Sequence, residues 1–387
     1  MPEITLQFIL FCIFSLSILI LLWYYLFYFA RVSFHKDLTP NPSPSKGEGS
    51  VPASIIICAK NEDHNLPEFL PLVLSQDYSD YEVIVVDDCS SDNTTDVLRE
   101  FEKKYSHLKV ITIKEDLKHY HGKKFALMVG IKGATHDHLL LTDADCKPTG
   151  EQWLKKMMSK FSSEKEIVLG YSKYEKLPGL LNKLIRFDTF HIALQYLSFA
   201  KAGSPYMGIG RNLAYKKNLF FKHKGFATHY HIESGDDDLF INEAATEKNI
   251  AVEFSDGSYT ESRVKKNWSG WVEQKRRHLT TWREYKTSDK FRLGVYPIAQ
   301  AIFWISLIAL MIVSKHEIFS KYDLYIILGL FGFRIIVQLV IFKLAMDKLK
   351  EKDLFLTSFL AELFLLVFYP ALTISNALFR RKKWKRI

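Results

Sequence analysis

Four long apolar stretches constrain this chain more than any other feature. Residues 4–30 hold 27 positions without a charge, and residues 294–313 hold none. Residues 324–342 are interrupted only by Arg334, and residues 354–370 only by Glu362. About 20 apolar residues in a helix cross the hydrocarbon of a bilayer. The first stretch is too long for a signal-peptide core and lacks a basic start and a small-residue cleavage site, so residues 1–31 read as a retained anchor. The pattern predicts one span before, and about three after, a polar middle portion.

The net charge of +9, from 52 basic and 43 acidic residues, lies largely beside those stretches. Residues 263–292 carry ten Lys and Arg against Glu273, Glu284 and Asp289, and residues 380–386 add six more. Such a bias fits anionic headgroups and positive-inside orientation. Next to apolar spans it argues against nucleic-acid binding. Trp268, Trp271, Val272, Leu279 and Trp282 recur at helical spacing, so 263–293 reads as an amphipathic interfacial segment. Residues 294–379 hold the later spans and 380–387 a basic tail. The four cysteines show no paired spacing, which fits a reduced, cytoplasmic setting.

Two features of the spans invite structural expectations. Residues 343–353 read as the turn connecting two spans, with Arg334 nine residues before it and Glu362 nine after it. Antiparallel helices at about 1.5 Å per residue put both near one depth, which predicts an intramembrane ion pair. Four full crossings from an outside N-terminus leave the basic tail outside, against the positive-inside tendency. A re-entrant or interfacial 354–370 segment, ending at Pro370, would remove that conflict.

Residues 32–51 are rich in Pro, Gly and Ser and read as a flexible linker. Beyond them, apolar runs at 53–58, 82–87, 109–113 and 138–142 alternate with amphipathic stretches near 64–76, 93–105 and 122–134. That alternation predicts an α/β domain over 52–262 with a mainly parallel sheet. Ligands then bind beyond the carboxyl ends of the strands. Polar clusters stand at three such ends: Lys60-Asn61-Glu62, Asp87 to Thr94, and Asp143-Ala144-Asp145. Ser91 or Asp92 is placed to cap the next helix. Residues i and i+2 of a strand point the same way, so Asp143 and Asp145 form a charged pair suited to a hard divalent cation, Mg²⁺ or Mn²⁺. Gly208-Ile209-Gly210 has no third glycine and does not follow the first strand, and no Walker-type sequence occurs.

The motifs Ala-Lys-Asn-Glu (59–62), Val-Val-Asp-Asp-Cys-Ser-Ser-Asp (85–92), Gly-Lys-Lys-Phe-Ala-Leu (122–127) and Thr-Asp-Ala-Asp (142–145) occur in that order. They resemble the membrane-bound family 2 glycosyltransferases of the GT-A fold over about residues 52–285. The resemblance implies a nucleotide-sugar donor, a divalent metal and inversion at the anomeric carbon. It implies that Glu62 and Asp88 contact the uridine with Asp87 nearby, and that Lys123 lies near the base or diphosphate. By the same resemblance Asp143 would face the ribose and Asp145 the metal-bridged phosphates.

Inverting transfer also needs a base for the acceptor hydroxyl. Asp236-Asp237-Asp238-Leu239 offers it, although acids also favour a helix N-terminus. Alignment on the family's acidic motif makes Asp236 the base and Asp238 the second acid. The family's Glu is Gly235 here, which leaves Asp236 and Asp237 both open. Gln274 and Arg277 match a family Gln-x-x-Arg-Trp pattern whose Arg holds the diphosphate, with His278 in place of Trp. His229, His231 and Glu233 alternate and offer a second, weaker metal-ligand set. The expected partners are a nucleotide sugar, a lipid or glycan acceptor, and membrane lipid. A processive polysaccharide synthase and a non-catalytic nucleotide-sugar scaffold are the rival readings.

Overall fold

The computed structural model describes residues 6–36, 51–114, 122–232, 234–313 and 321–378. Most of the expected linker, Glu233 and the basic tail lie outside them. The chain divides into two compact units, one of residues 36–284 and one of residues 1–35 with 285–387. The boundary at 284/285 falls inside the expected interfacial segment.

The first unit is built on a seven-stranded sheet in the order β3-β2-β1-β4-β8-β6-β9. Its strands are β1 (Ala53–Ala59), β2 (Tyr81–Asp87), β3 (Leu108–Thr112), β4 (His138–Asp143), β6 (Ile167–Gly170), β8 (Leu213–Lys216) and β9 (Ile250–Glu253). A small second sheet joins β5 (Cys146–Pro148), β10 (Thr260–Ser262) and β7 (Ser172–Tyr174). Pairing is parallel throughout β3-β2-β1-β4 and between β6 and β9, while β8 runs antiparallel to both its neighbours. β1, β2 and β4 carry nearly continuous buried apolar runs, as central parallel strands covered by helices do, whereas the edge strand β3 is largely exposed or half-buried. Ile55, Ile56, Ile57, Val83 to Val86 and Leu139 to Leu141 are all buried.

The covering helices Leu66–Leu74, Thr94–Lys104 and Lys123–Gly133 fall within the expected amphipathic stretches. Asp92 accepts from Thr94 N at 3.0 Å, serving the start of its helix, though Asn93 is the residue at the N-cap. The Lys123–Gly133 helix lies close against the sheet. A Cβ on Gly130 would stand 2.7 Å from Ile56 Cγ2 and 3.0 Å from Val86 Cγ2.

The second unit contains four helices long and apolar enough to cross a membrane: Leu6–Ser33, Thr287–Val313, Asp323–Lys348 and Lys352–Leu378. The first contains a π-helical turn, Tyr24–Phe29. The last continues through Pro370 to Leu378, so the re-entrant expectation for 354–370 is replaced by one continuous helix. The turn before it is also shorter than expected, because the preceding helix extends to Lys348.

Arg334 and Glu362 do meet in one buried cluster, but not as the expected direct ion pair. Gln300 stands between them, its Oε1 accepting from Arg334 Nη2 at 2.7 Å and its Nε2 donating to Glu362 Oε1 at 2.7 Å. Gln338 forms a second bridge, accepting from Arg334 and donating to Glu362. Tyr296 donates to Glu362 at 2.6 Å, and Arg334 donates to Tyr25 Oη at 2.9 Å. The two amides give both Glu362 oxygens and both Arg334 Nη groups partners away from water, while the buried Arg334 Nε has none among the described residues. All four long helices contribute to this cluster.

Candidate active site

β1, β2 and β4 are adjacent and parallel, with Ala59 opposite Asp87 and Cys58 opposite Asp143. Their carboxyl ends therefore share one edge, and each opens into a polar loop. Asn61 and Cys89 adopt left-handed backbone, with φ of 57° and 54°. Asn tolerates that region because its short polar side chain can bond locally. Ser91 N donates to Asn61 Oδ1 at 2.8 Å, Asn61 N to Ser90 Oγ at 3.0 Å, and Glu62 N to Thr94 Oγ1 at 2.7 Å. These bonds lace the first two loops into one surface.

Asp87 is fully buried and works inside that surface. It accepts from Ser90 N at 3.1 Å and from Thr95 Oγ1 at 2.6 Å, so its carboxylate shapes the loop. Asp88 lies 3.8 Å from Lys60 Nζ. Glu62 accepts from Asn65 Nδ2 at 2.6 Å, and burial, reinforced by the charges of Asp145 and Asp143, raises its pKa.

Lys123 opens the next helix and joins two distant parts of the chain. Its Nζ lies 2.7 Å from Asp143 Oδ1 and 3.1 Å from Asp236 Oδ2. Burial opposes the lysine charge, but Asp143 and Asp236 outweigh it and hold the pKa well above the usual lysine range. In the same way burial would raise the Asp236 carboxyl, and Lys123 instead holds it low.

The two acids that follow Asp236 have other partners. Asp237 accepts from Gly210 N at 2.6 Å and, as the N-cap of helix Asp238–Ala244, from Asp238 N at 2.8 Å. Burial, then the charges of Asp236 and Asp238, push its pKa up to about 7. Asp238 accepts from Thr281 Oγ1 at 2.6 Å and from Leu239 N at 2.8 Å. Gly235 precedes them with φ of 93°, and a Cβ there would lie 2.4 Å from Leu239 Cδ1. The turn into the acidic run thus accepts glycine where the family pattern carries Glu.

Ligand atoms of Asp143, Asp145 and Cys146 lie within 4.8 Å of one another. The two carboxylates fit a hard divalent ion. The buried Cys146 thiol donates to Asp145 Oδ1 at 3.4 Å, and burial drives its pKa well above the usual thiol value. Without a metal it therefore stands as a protonated donor to Asp145. Ser262 Oγ supports the same oxygen at 3.4 Å.

On the other side of the sequence, Gln274 donates to Tyr174 Oη at 3.1 Å from helix Trp268–His278, and the Arg211 guanidinium lies 4.4 Å from the Tyr174 ring centroid. That helix begins at Asn267, whose Oδ1 accepts from Gly270 N at 2.8 Å. It is tied down by Trp271, fully buried, and by a buried pair between Lys275 and Asp188. Arg277 and His278 are exposed near its end.

Residues 54–226 match the model of "Glycosyl transferase family 2". This α/β unit is a family 2 glycosyltransferase domain. Glycosyltransferase AglE of Haloferax volcanii is 31% identical over 171 residues, 44% of this chain and 52% of that protein. The poly-beta-1,6-N-acetyl-D-glucosamine synthase of Staphylococcus epidermidis is 31% identical over 121 residues, 31% of this chain and 27% of that one. The chain thus spans about half or less of the length of these relatives. Among solved structures, the mannosyltransferase PcManGT of Pyrobaculum calidifontis, in complex with GDP-Man and Mn²⁺, aligns with a TM-score of 0.57 at 18% identity. That alignment covers 93% of this chain and 99% of the other, and establishes the shared GT-A fold.

Within this glycosyltransferase domain the structure brings Lys123, Asp143 and Asp236 into contact, with Asp145 two residues from Asp143 and Asp237 and Asp238 beside Asp236. Glu62 and Asp88 stand on the same strand-end surface. Gln274 meets Tyr174 rather than an acid of this group, and the Arg277 side chain has no hydrogen-bond or ion-pair partner among the described residues. His229 is buried and His231 exposed, and Glu233, the third member of the alternating set, lies outside the described residues. Sequence reasoning missed Lys124, which donates to His229 O at 2.7 Å and Ile232 O at 2.9 Å and so fixes the chain leading into the acidic run. It also missed Arg211. The only signal for Arg211 was a cation in a Gly-x-Gly-Arg turn before an apolar strand.

Proposed function

We propose that this chain transfers a sugar, with inversion, from a nucleotide sugar to a hydroxyl of a lipid or glycan acceptor at the cytoplasmic face of a membrane. The observation that carries the reading is Lys123 Nζ, 2.7 Å from Asp143 and 3.1 Å from Asp236. It sets the donor-side acids and the acid of the 236–238 run within one group's reach. Glu62 and Asp88 line the nucleoside side, and Asp143 and Asp145 would hold Mg²⁺ or Mn²⁺, which supplies charge neutralisation for a departing diphosphate. Gln274 and Arg277 stand on the diphosphate side, Gln274 through Tyr174 and Arg277 by contact with phosphate.

Asp236 is the base in this reading. Asp237 and Asp238 have their oxygens engaged by Gly210, Thr281 and the start of their own helix, whereas Asp236 faces only Lys123 among the described side chains. Lys123, by lowering its pKa, keeps Asp236 ionised before substrates arrive. The acceptor oxygen attacks the anomeric carbon as its proton passes to Asp236. The bond from that carbon to the diphosphate oxygen breaks, and its electron pair leaves with the diphosphate. Lys123 keeps the two carboxylates from repelling each other before substrates arrive.

Nucleotide sugars are made in the cytoplasm, which supports that placement of the catalytic unit. The similarity to a polysaccharide synthase favours a second reading, repeated addition. The purified full-length protein, given a panel of nucleotide sugars with Mg²⁺ or Mn²⁺ and membrane lipid extract, should release nucleotide and label lipid or glycan. Loss of both in Asp236→Asn and with chelator supports the assignment; undiminished transfer in Asp236→Asn refutes it. Product length separates single addition from polymerisation.

A further inference from the structure

We propose that Arg211 is a phosphate-binding residue of this site, its guanidinium held ready for the oxyanions of the donor diphosphate. The inference rests on the transferase reading and adds a residue to it. Arg211 lies in the Gly210–Asn212 turn, and its backbone carbonyl accepts from Thr142 Oγ1 at 3.1 Å and from Thr260 Oγ1 at 2.9 Å. Those bonds fasten it to the strand carrying Asp143 and to the small sheet carrying Asp145's neighbour. The next residue, Asn212, is fully buried and fixed by Trp153 Nε1 at 2.9 Å, so the turn has little freedom.

The side chain itself is held without being satisfied. It stacks on the Tyr174 ring at 4.4 Å, and Tyr174 is in turn held by Gln274 at 3.1 Å. Nη1 of Arg211 is buried and has no hydrogen-bond partner among the described residues. Asp145 and Asp143 are near enough for their charges to act on it, yet neither forms an ion pair with it within 4.0 Å. A buried cationic N–H without an acceptor is costly to leave so. A planar fork stacked on an aromatic ring beside a metal-type acid pair is suited to bidentate phosphate. The same geometry gives Gln274 a role: it orients Tyr174, and Tyr174 orients Arg211.

The chemistry required is a phosphate oxyanion, supplied by the donor or by a phosphorylated acceptor. The test uses the full-length protein in detergent with Mn²⁺, and measures affinity for UDP and GDP against UMP and GMP. Hydrogen bonds to a charged group contribute about 1.5–3 kcal/mol, so Arg211→Gln should weaken the diphosphate about 10- to 100-fold and the monophosphate much less. Arg211→Lys should recover part of the loss. Tyr174→Leu, which removes the stack and keeps the cation, should lose a smaller factor that Tyr174→Phe restores in part. If diphosphate affinity is unchanged but the KM for polyprenyl phosphate as acceptor rises in Arg211→Gln, the bound phosphate is the acceptor's. If Arg211→Gln changes neither, and shifts only Mn²⁺ affinity or the melting temperature, Arg211 is a counter-ion and the proposal is overturned. Should the unaltered protein bind no nucleoside diphosphate, the functional reading fails and takes this assignment with it.

Discussion

Replacing Lys123 by Met tests the core of the site, because one ammonium holds two acids from opposite halves of the domain. Removing one partner of a fully buried ion pair costs about 3–5 kcal/mol. The Lys123 side chain is 39% exposed, so solvent screening lowers the expected loss to about 1–2 kcal/mol. A domain of this size then melts about 2–8 °C lower at neutral pH. The pH dependence carries more information. Lys123 depresses the folded-state pKa of Asp236, so their mutual stabilisation is present above the ordinary Asp value and lost as pH falls through the lower folded value. The difference in stability between the two proteins should therefore shrink below about pH 4, where the carboxyl is protonated in both states. In residual transfer activity, the acid limb should move up by about one pH unit or more, since loss of a close opposite charge shifts a carboxyl by that order. Lys123→Arg keeps the charge and should stay near the original profile. An unmoved acid limb in Lys123→Met, measured at saturating donor, would refute the claim that this lysine controls Asp236.

Other outcomes follow from particular contacts. Gly130→Val places side-chain atoms where even a Cβ would stand 2.7 Å from Ile56, and overpacking of this kind costs about 1–3 kcal/mol, read by denaturant unfolding. Asp237 has a raised pKa, about 7, so its contribution to stability is full below the ordinary Asp value and is lost as pH rises towards 7. Asp237→Asn should remove that slope, seen as a melting temperature that varies less between pH 5 and pH 8. In the unit of long apolar helices, Gln300→Leu should uncouple Arg334 from Glu362, and a double-mutant cycle on those two should lose most of its coupling energy in that background. Undiminished coupling there would mean that Gln338 alone carries the link.

Much of the fold was legible because its signals are local. The strands that carry the site are unbroken runs of β-branched and aliphatic residues, and their ends are marked where Asp and Asn begin. Asp143 and Asp145 declared themselves by spacing, and the four spans by length alone. Contacts between distant residues were harder to read. The antiparallel strand β8 is only four residues long and has no distinctive periodicity. The roles of Asp236, Asp237 and Asp238 could not be separated in a run of like residues, since their partners lie at Lys123, Gly210 and Thr281. Asp87, expected beside the nucleoside, has its carboxylate turned to Ser90 and Thr95. Equal spacing about a turn brought Arg334 and Glu362 to one depth, but gave no sign of the two glutamines between them.

That cluster has a consequence for biosynthesis. Tyr25 emerges from the ribosome long before Tyr296, Gln300 and Arg334, the residues with which its hydroxyl bonds. If these helices cross a bilayer, Arg334 must enter it while the glutamate that shares its bridging amides is still untranslated. Insertion of the helices is therefore not a series of independent events: the final helix completes a circuit that the opening one began. A chain halted near residue 350 should be retained by the insertion machinery or degraded, and supplying the missing helix, Lys352–Leu378, in trans should rescue it.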